Sequence, residues 1–132
     1  RGVGGVFNTA VIRDGHIYAG GQGGRYMCVR LEDGEQQWST FEPSTGDRPA
    51  SWANVFTVPN GDRYWLFNDL GEVTIAEMSP KEFHSISKTQ LIEPTHRIGR
   101  RTVVWSHPAL ANRHIFIRND KEILCYNVAI TK

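Results

Sequence analysis

The sequence predicts an all-β protein built from repeated four-stranded antiparallel meanders, and three observations support this fold class. Apolar residues alternate with polar ones or form short β-branched and aromatic runs, and helical periodicity is hard to find. Gly, Asn and Asp interrupt these runs, and the 13 glycines exceed the average share of about 7%. The third observation is that the same order of runs and turns occurs three times along the chain.

The first repeat shows the pattern clearly. The runs at 7–12 and 16–20 flank Asp14-Gly15, a pair that suits the positive φ angles of a tight hairpin. Two further runs, at 26–31 and 35–41, follow glycine-containing turns and complete a meander of four strands.

The second and third repeats follow the same order. The predicted strands of the second repeat are 54–58, 63–67, 72–78 and 83–89, and those of the third are 103–110, 114–118 and 122–129. Pro and Gly residues in 42–51 and 92–101 predict loops between the repeats. The third repeat therefore lacks its fourth strand.

The spacing of the repeats predicts a β-propeller rather than a sandwich. The turn positions Asp14, Asn60 and Ala111 are about 46 and 51 residues apart, and the centres of the third strands share nearly the same period. Four short strands in a unit of roughly 40 to 50 residues are typical of propeller blades.

We therefore expect one domain over 1–132, a partial propeller with approximate blades at 6–42, 52–91 and 102–132. Three blades fall short of the four to eight that close a propeller. We expect the chain to be the C-terminal portion of a longer protein or to associate with other copies to cover its edges. Segment 2–7 is a candidate for the missing strand.

The two cysteines are predicted to be free thiols. Cys28 and Cys125 occupy the same place two blades apart, which is too far for a disulfide within one chain. Neither has a nearby Cys or His at zinc spacing.

Charge and hydropathy exclude some partners. The net charge of +1 provides no basic field for nucleic acid, and no run of about 18 apolar residues could cross a membrane. The partners that we expect are another protein, the remaining blades of the same propeller, or a second copy of the chain.

Residues 28–38, CVRLEDGEQQW, resemble the repeat of the bacterial pyrroloquinoline-quinone (PQQ)-like β-propellers, Ala-x-Asp-x-x-Thr-Gly-x-x-x-Trp. Gly34 and Trp38 match the spacing, whereas Cys28, Arg30 and Asp33 replace the Ala, Asp and Thr of the pattern. Physically, Gly34 permits a left-handed turn, and the ring of Trp38 is suited to dock against the neighbouring blade.

The resemblance implies a place in the bacterial cell envelope or outside the cell, but it allows two kinds of function. Proteins of this family include PQQ-dependent dehydrogenases, which are enzymes, and an outer-membrane assembly lipoprotein, which is a binding scaffold. The dehydrogenases are expected to carry adjacent cysteines, a carboxylate base and Glu or Asn ligands for calcium. Here the two cysteines lie far apart. We expect no catalytic, cofactor-binding or metal-binding residues in this chain.

A possible ligand or partner surface comes from basic and aromatic residues in the loops. The basic segment before the third blade contains His96, Arg97, Arg100 and Arg101, which suit an anionic ligand or an acidic protein surface. The other candidates for this surface are Trp52, Trp105 and His107.

The sequence thus predicts a non-catalytic propeller scaffold that binds a protein or ligand and needs no cofactor. One alternative is part of a PQQ- and calcium-dependent dehydrogenase. A second is a domain that recognises glycans or peptides through its loops.

Overall fold

The structure is a computed structural model that describes residues 3–4 and 7–130. In these residues it contains thirteen β-strands and one turn of 3-10 helix at Gln22–Gly24, and no α-helix. The all-β prediction is confirmed.

The strands form three meanders and one separate hairpin, each antiparallel and open. Sheet one contains β1 (Val11–Arg13), β2 (His16–Gly20), β3 (Tyr26–Arg30) and β4 (Gln36–Thr40). Sheet two contains β5 (Val55–Asn60), β6 (Arg63–Asn68), β7 (Glu72–Met78) and β8 (Phe83–Gln90). The hairpin pairs β9 (His96–Ile98) with β10 (Arg101–Val103), and sheet three contains β11 (Ala109–Ala111), β12 (His114–Arg118) and β13 (Ile123–Asn127).

Turns of two residues set the register of the first two strands in each sheet. Asp14 and Gly15 have φ of 48° and 71°, as the predicted tight hairpin requires. Asn112 and Arg113 adopt similar angles, 49° and 60°, between β11 and β12. The backbone partners closing these two turns are Arg13 with His16 and Ala111 with His114.

The predicted connection before sheet three is wrong in two respects. Segment 92–101, predicted as a loop, contains β9 and the first residue of β10, joined by a turn in which Gly99 has a φ of 56°. Segment 103–110, predicted as one strand, is not continuous. Val104 instead packs between the sheets, and Pro108 is buried just before β11.

Sheets one and two pack face to face through a mainly aromatic cluster, the first interface. Tyr18, Tyr26 and Cys28 of sheet one meet Tyr64 and Leu66 of sheet two, and all five are buried. The hydroxyls of Tyr26 and Thr57 are 2.8 Å apart, so the polar tip of this buried ring has a partner.

Sheets two and three pack through a second cluster, the second interface, in which aliphatic side chains predominate. Phe56 and Phe67 of sheet two lie in this cluster with Ile115 and Ile117 of sheet three. Leu91, Ile92 and Val104 of the connection between the sheets are buried in the same cluster. Sheet two is therefore covered on both faces.

The turn between β3 and β4 is stabilised by an acidic side chain and a glycine. Asp33 accepts hydrogen bonds from the Arg30 guanidinium and from the Glu35 backbone N–H, which lower the pKa of Asp33 to about 2. Gly34 has a φ of 75°, the left-handed conformation that the sequence predicted there.

Trp38 joins sheet one to sheet two. Its Nε1–H donates a hydrogen bond of 2.7 Å to the Ser79 carbonyl, and its ring centroid lies 6.0 Å from that of Phe83. Both partners belong to sheet two or to the turn that precedes its last strand.

The thiol prediction is confirmed, because Cys28 and Cys125 are both free, the first buried and the second exposed. Sheet three has three strands among the described residues. Most of segment 2–7, the candidate for a fourth strand, lies outside the described residues.

Candidate functional site

One end of the sheets gathers most of the long connections, and we call it the loop face. It comprises the connections 41–54 and 91–108 together with the turns at 21–25, 69–71 and 119–122. Hydrogen bonds tie these segments together: the Ala50 N–H donates to the Gly23 carbonyl, and the Val104 N–H donates to the Asp69 carbonyl. Backbone hydrogen bonds between its segments thus fix the loop face as one surface.

A buried ion pair lies beneath this face. Asp69, at the end of β6, has a fully buried side chain, and its Oδ2 is 2.9 Å from Nη1 of Arg101 on β10. Burial raises the pKa of the Asp69 carboxyl, and the Arg101 guanidinium opposes that rise. The pair therefore links sheet two to the hairpin of β9 and β10.

Asn54 adds an incompletely satisfied polar group to the same region. Its backbone carbonyl accepts a hydrogen bond of 3.2 Å from the Asp69 N–H. Its side chain is buried, and neither atom of its amide has a hydrogen-bond partner in the described residues. Burying polar atoms without hydrogen-bond partners costs free energy, so the Asn54 side chain lowers the stability of this region.

Trp52 is the most unusual residue of the loop face. Its backbone has a φ of 64°, a conformation that bulky residues rarely adopt, and its side chain is 57% exposed. The preceding residue, Ser51, is held in place because its carbonyl accepts a hydrogen bond of 2.8 Å from Arg101 Nη1. Arg101 thus connects the buried Asp69 to the segment that presents the Trp52 ring.

A second aromatic group surrounds Trp105. The Trp105 ring centroid lies 4.9 Å from that of Phe7 and 6.4 Å from that of His96. His96 Nδ1 is 3.1 Å from Asp120 Oδ2. Trp105 Nε1 is buried without a hydrogen-bond partner.

A cavity of about 260 Å³ adjoins this group. Its polar lining comes from side chains of three different segments: His96, Trp105, Ser106, Arg118, Asn119 and Asp120. Because these side chains include donors and acceptors of both charges, the cavity suits a polar ligand or the side chain of a partner.

The structure brings together only some of the residues predicted for a ligand or partner surface. Trp52 and Arg101 meet through Ser51, and His96 lies near Trp105. The remaining three, Arg97, Arg100 and His107, take no part in either group.

These three residues have other surroundings. Arg97 lies on β9 and its Nε–H donates to the Gly99 carbonyl, while Arg100 is exposed in the turn beyond it. The His107 ring lies 4.4 Å from that of Phe56. The six-residue basic cluster of the sequence is therefore spread along a hairpin rather than focused on one ligand.

The sequence analysis missed Asp69, Asn54 and Asp120 as parts of this face. Both Asp69 and Asp120 lie in turns, where Asp is common, but their side chains pair with Arg101 and His96 across more than 20 residues of sequence. Only the folded chain brings these partners together.

A larger depression, of about 410 Å³, lies at the opposite end of the sheets. Residues from the two-residue turns and adjoining strands line it, including Pro59, Trp65, Leu110, Arg113 and His114. It contains no carboxylate, and it lacks the buried polar atoms found at the loop face.

Within residues 3–4 and 7–130, no three His, Cys, Asp or Glu side chains are grouped to bind a metal ion, and no helix is long and apolar enough to cross a membrane. Compared with known proteins, the chain matches no family model and no curated sequence.

Proposed function

We propose that this chain is part of a PQQ-like β-propeller that acts as a non-catalytic scaffold in the bacterial envelope or outside the cell. In this proposal each sheet is one blade, and the loop face binds a protein or ligand. Support comes from the repeated strand order and from the stacking of successive sheets through two apolar interfaces.

The observation that carries the binding role is the conformation of Trp52. A tryptophan with a left-handed backbone costs on the order of 1 to 3 kcal/mol relative to a relaxed conformation. Because the Trp52 ring is exposed, burial of the ring offsets little of that cost. Residues with strained backbones are concentrated at functional sites, and they keep that conformation only where the surrounding structure holds it. Here the Arg101 contact to Ser51 provides that support.

A glycan or an extended peptide is the ligand class that suits this face best. The Trp52 ring offers a flat apolar surface for a sugar ring or an apolar side chain. Elsewhere on the loop face, side chains with hydrogen-bonding groups, including His96 and Asp120 at the cavity, would bind hydroxyls or peptide groups. This favours the recognition reading over a purely structural role.

We prefer the scaffold to the enzyme alternative because of the positions of the two cysteines and of Asp69. Cys28 is buried in the first interface, and Cys125 is exposed on sheet three, so the two cannot form the adjacent pair expected of the quinone enzymes. The buried carboxylate of Asp69 pairs with Arg101 and, among the described residues, belongs to no group of three His, Cys, Asp or Glu side chains.

The test is binding of the purified chain to glycan and peptide arrays, followed by titration of the best probe. The variant Trp52→Gly removes the ring and relieves the backbone strain, so we expect it to lose binding while its free energy of unfolding stays equal or rises. The matched control is Arg113→Gly, at a φ of 60° in the opposite end of the sheets, which should keep full binding.

Equal binding by the wild type and Trp52→Gly would refute the role of this face. Saturable quenching of tryptophan fluorescence by PQQ with calcium would instead support the enzyme alternative. If neither arrays nor PQQ gave a signal, the chain would be a structural unit only.

A further inference from the structure

The same register positions in all three sheets face the next sheet along the chain. In each sheet, the third residue of the second strand after the two-residue turn pairs with a residue near the middle of the third strand. These pairs are Tyr18 with Cys28, Trp65 with Ile75, and Phe116 with Cys125. Tyr18 and Cys28 are buried against sheet two, and Trp65 packs against the second interface.

In sheet three the same positions meet no following sheet among the described residues. Ile115 and Ile117 point into the second interface, so their neighbour Phe116 points to the other side of the sheet. We call that side the open face; its apolar residues are Ala109, Phe116, Ile123 and Cys125, and the polar residues His114, Arg118 and Asn127 lie on the same side at its two ends. Ile123, which corresponds to the buried Tyr26 of sheet one, is 72% exposed.

Sheet one carries the complementary surface, its back face. Sheet two packs against sheet one through the pair Tyr64 and Ala76, and the residues at the same register positions in sheet one are the pair Ile17 and Val29. Both are only partly buried, and Ile12, the β1 partner of Ile17, is 65% exposed. The open face of sheet three and the back face of sheet one thus each leave apolar side chains exposed, and on the back face these lie at the end with the two-residue turn, because Ala19 and Met27 at the loop end are buried.

We propose that a second copy of this chain covers the open face with the back face of its sheet one. The contact repeats the geometry of the first and second interfaces, so Phe116 and Cys125 take the places of Tyr18 and Cys28. Ile17 and Val29 of the second copy take the places of Tyr64 and Ala76.

The same contact is made twice when two copies meet. The open face of the first copy packs on the back face of the second, and the open face of the second packs on the back face of the first. Two copies together contain six stacked sheets, which is within the range of four to eight that closes a propeller. Closure would leave no apolar sheet face exposed and would stop growth at the dimer.

The test is the mass of the purified chain in solution, measured by light scattering over a wide concentration series. We expect twice the 14.9 kDa of one chain at high concentration. We also expect labelling of Cys125 by a thiol reagent to slow as dimer forms, whereas Cys28 stays protected at every concentration because it is buried in each copy.

A charge introduced on either face tests whether that face takes part in the dimer. Ile123→Lys places a charge on the open face, and Ile12→Glu places one on the back face, so each single variant should stay monomeric at concentrations where the wild type is dimeric. The two variants thus test the two faces independently. Leu31→Lys, on an exposed turn that belongs to neither face, is the matched control and should dimerise normally.

A monomer with freely reactive Cys125 at every concentration would overturn the proposal and would leave the open face to a further sheet of some other chain segment. An Ile123→Lys variant that still dimerises would also overturn it, because the dimer would then use another surface. A series of larger assemblies would do the same, because the contact would then not close into a ring. Ile12 lies beside the Asp14-Gly15 turn, at the end opposite the loop face, so loss of dimerisation in Ile12→Glu and loss of ligand binding in Trp52→Gly are separate outcomes.

Discussion

The two interfaces of sheet two achieve the same stacking with different chemistry. The first interface is built from Tyr18, Tyr26, Tyr64 and Trp38, and most of these rings carry a polar tip with a partner at hydrogen-bond distance. In the second interface, aliphatic side chains and two phenylalanines make up the buried cluster, with the partly buried Tyr126 at its edge.

The difference teaches what fixes one sheet against another. A hydrogen bond from a ring to a distant backbone group, such as Trp38 Nε1–H to the Ser79 carbonyl, has a narrow range of geometry. Aliphatic contacts have no such direction and depend on shape and area alone. We therefore expect the first interface to define the register of the two sheets and the second to contribute mainly apolar burial.

The largest effect is expected from Phe67→Ala in the second interface. Phe67 is 1% exposed, and its removal should lower the free energy of unfolding by about 4 kcal/mol through lost burial and a residual cavity. Equilibrium unfolding in urea measures this change. Leu31→Ala, at an exposed turn, is the control and should change stability little; a loss below about 2 kcal/mol for Phe67→Ala would mean that the second interface repacks freely.

Trp38→Ala tests the first interface. Because the side chain is only partly buried, we expect a loss of about 3 kcal/mol, at the lower end of the range for this substitution. Trp38→Phe keeps an aromatic ring but loses the bond to Ser79, so it should cost about 1 kcal/mol if the hydrogen bond contributes separately. If the two variants were equally unstable, the hydrogen bond rather than the ring would dominate this contact.

Arg101→Met breaks the buried pair at the loop face and should cost about 2 kcal/mol at neutral pH, because Asp69 is left without a counter-ion. The pKa of Asp69 is already raised in the folded protein, and the variant should raise it further. An acid with a raised folded pKa gives up its proton first in the unfolded state. Stability is therefore lost as pH rises through the interval between the unfolded and the folded pKa.

The loss from Arg101→Met should consequently be smaller near pH 4 than near pH 7. Thermal unfolding of the wild type and the variant over this range measures it. In Asp69→Asn the ionisable group is absent, so adding Arg101→Met to that variant should produce a loss with no such pH dependence. A pH-independent loss in Arg101→Met alone would show that Asp69 is not the group responsible.

The smallest effect is expected from Tyr26→Phe. The ring and its burial remain, and only the contact between the Tyr26 and Thr57 hydroxyls is lost. Thr57 is partly exposed and can bind water instead, so the loss should be about 1 kcal/mol. Urea unfolding measures it, and a loss of the size found for Phe67→Ala would show that the hydroxyl pair, and not the ring, holds the first interface.

Most of the strand order was predictable because it depends on local chemistry. Asp14-Gly15 and Asn112-Arg113 adopt the positive φ angles of tight turns, and alternating apolar residues define the strands on each side. The prediction failed at 92–110, where the β-branched pair Val103-Val104 favours a continuing strand but β10 ends at Val103. Val104 is instead buried in the second interface, and its N–H bonds to the Asp69 carbonyl.

The candidate site was predictable only in part, for a similar reason. Trp52, Trp105 and the basic segment stand out in the sequence, but a single sequence gives no sign that Arg101 reaches Asp69 and Ser51 while Arg100 points to solvent. The strained φ of Trp52 also depends on how the connection 41–54 is held at both ends, which no local pattern specifies.

The sequence by itself determined the all-β class, the period of the repeats and the tight turns, because each follows from contacts between near neighbours in the chain. The equivalent places of Cys28 and Cys125 in two distant repeats also predicted the two free thiols. Only the tertiary structure decided that sheet two is buried on both faces, which loops lie together on the loop face, and which apolar side chains of sheet three stay exposed. These features depend on contacts between residues about 50 positions apart, and such contacts form only when whole sheets stack.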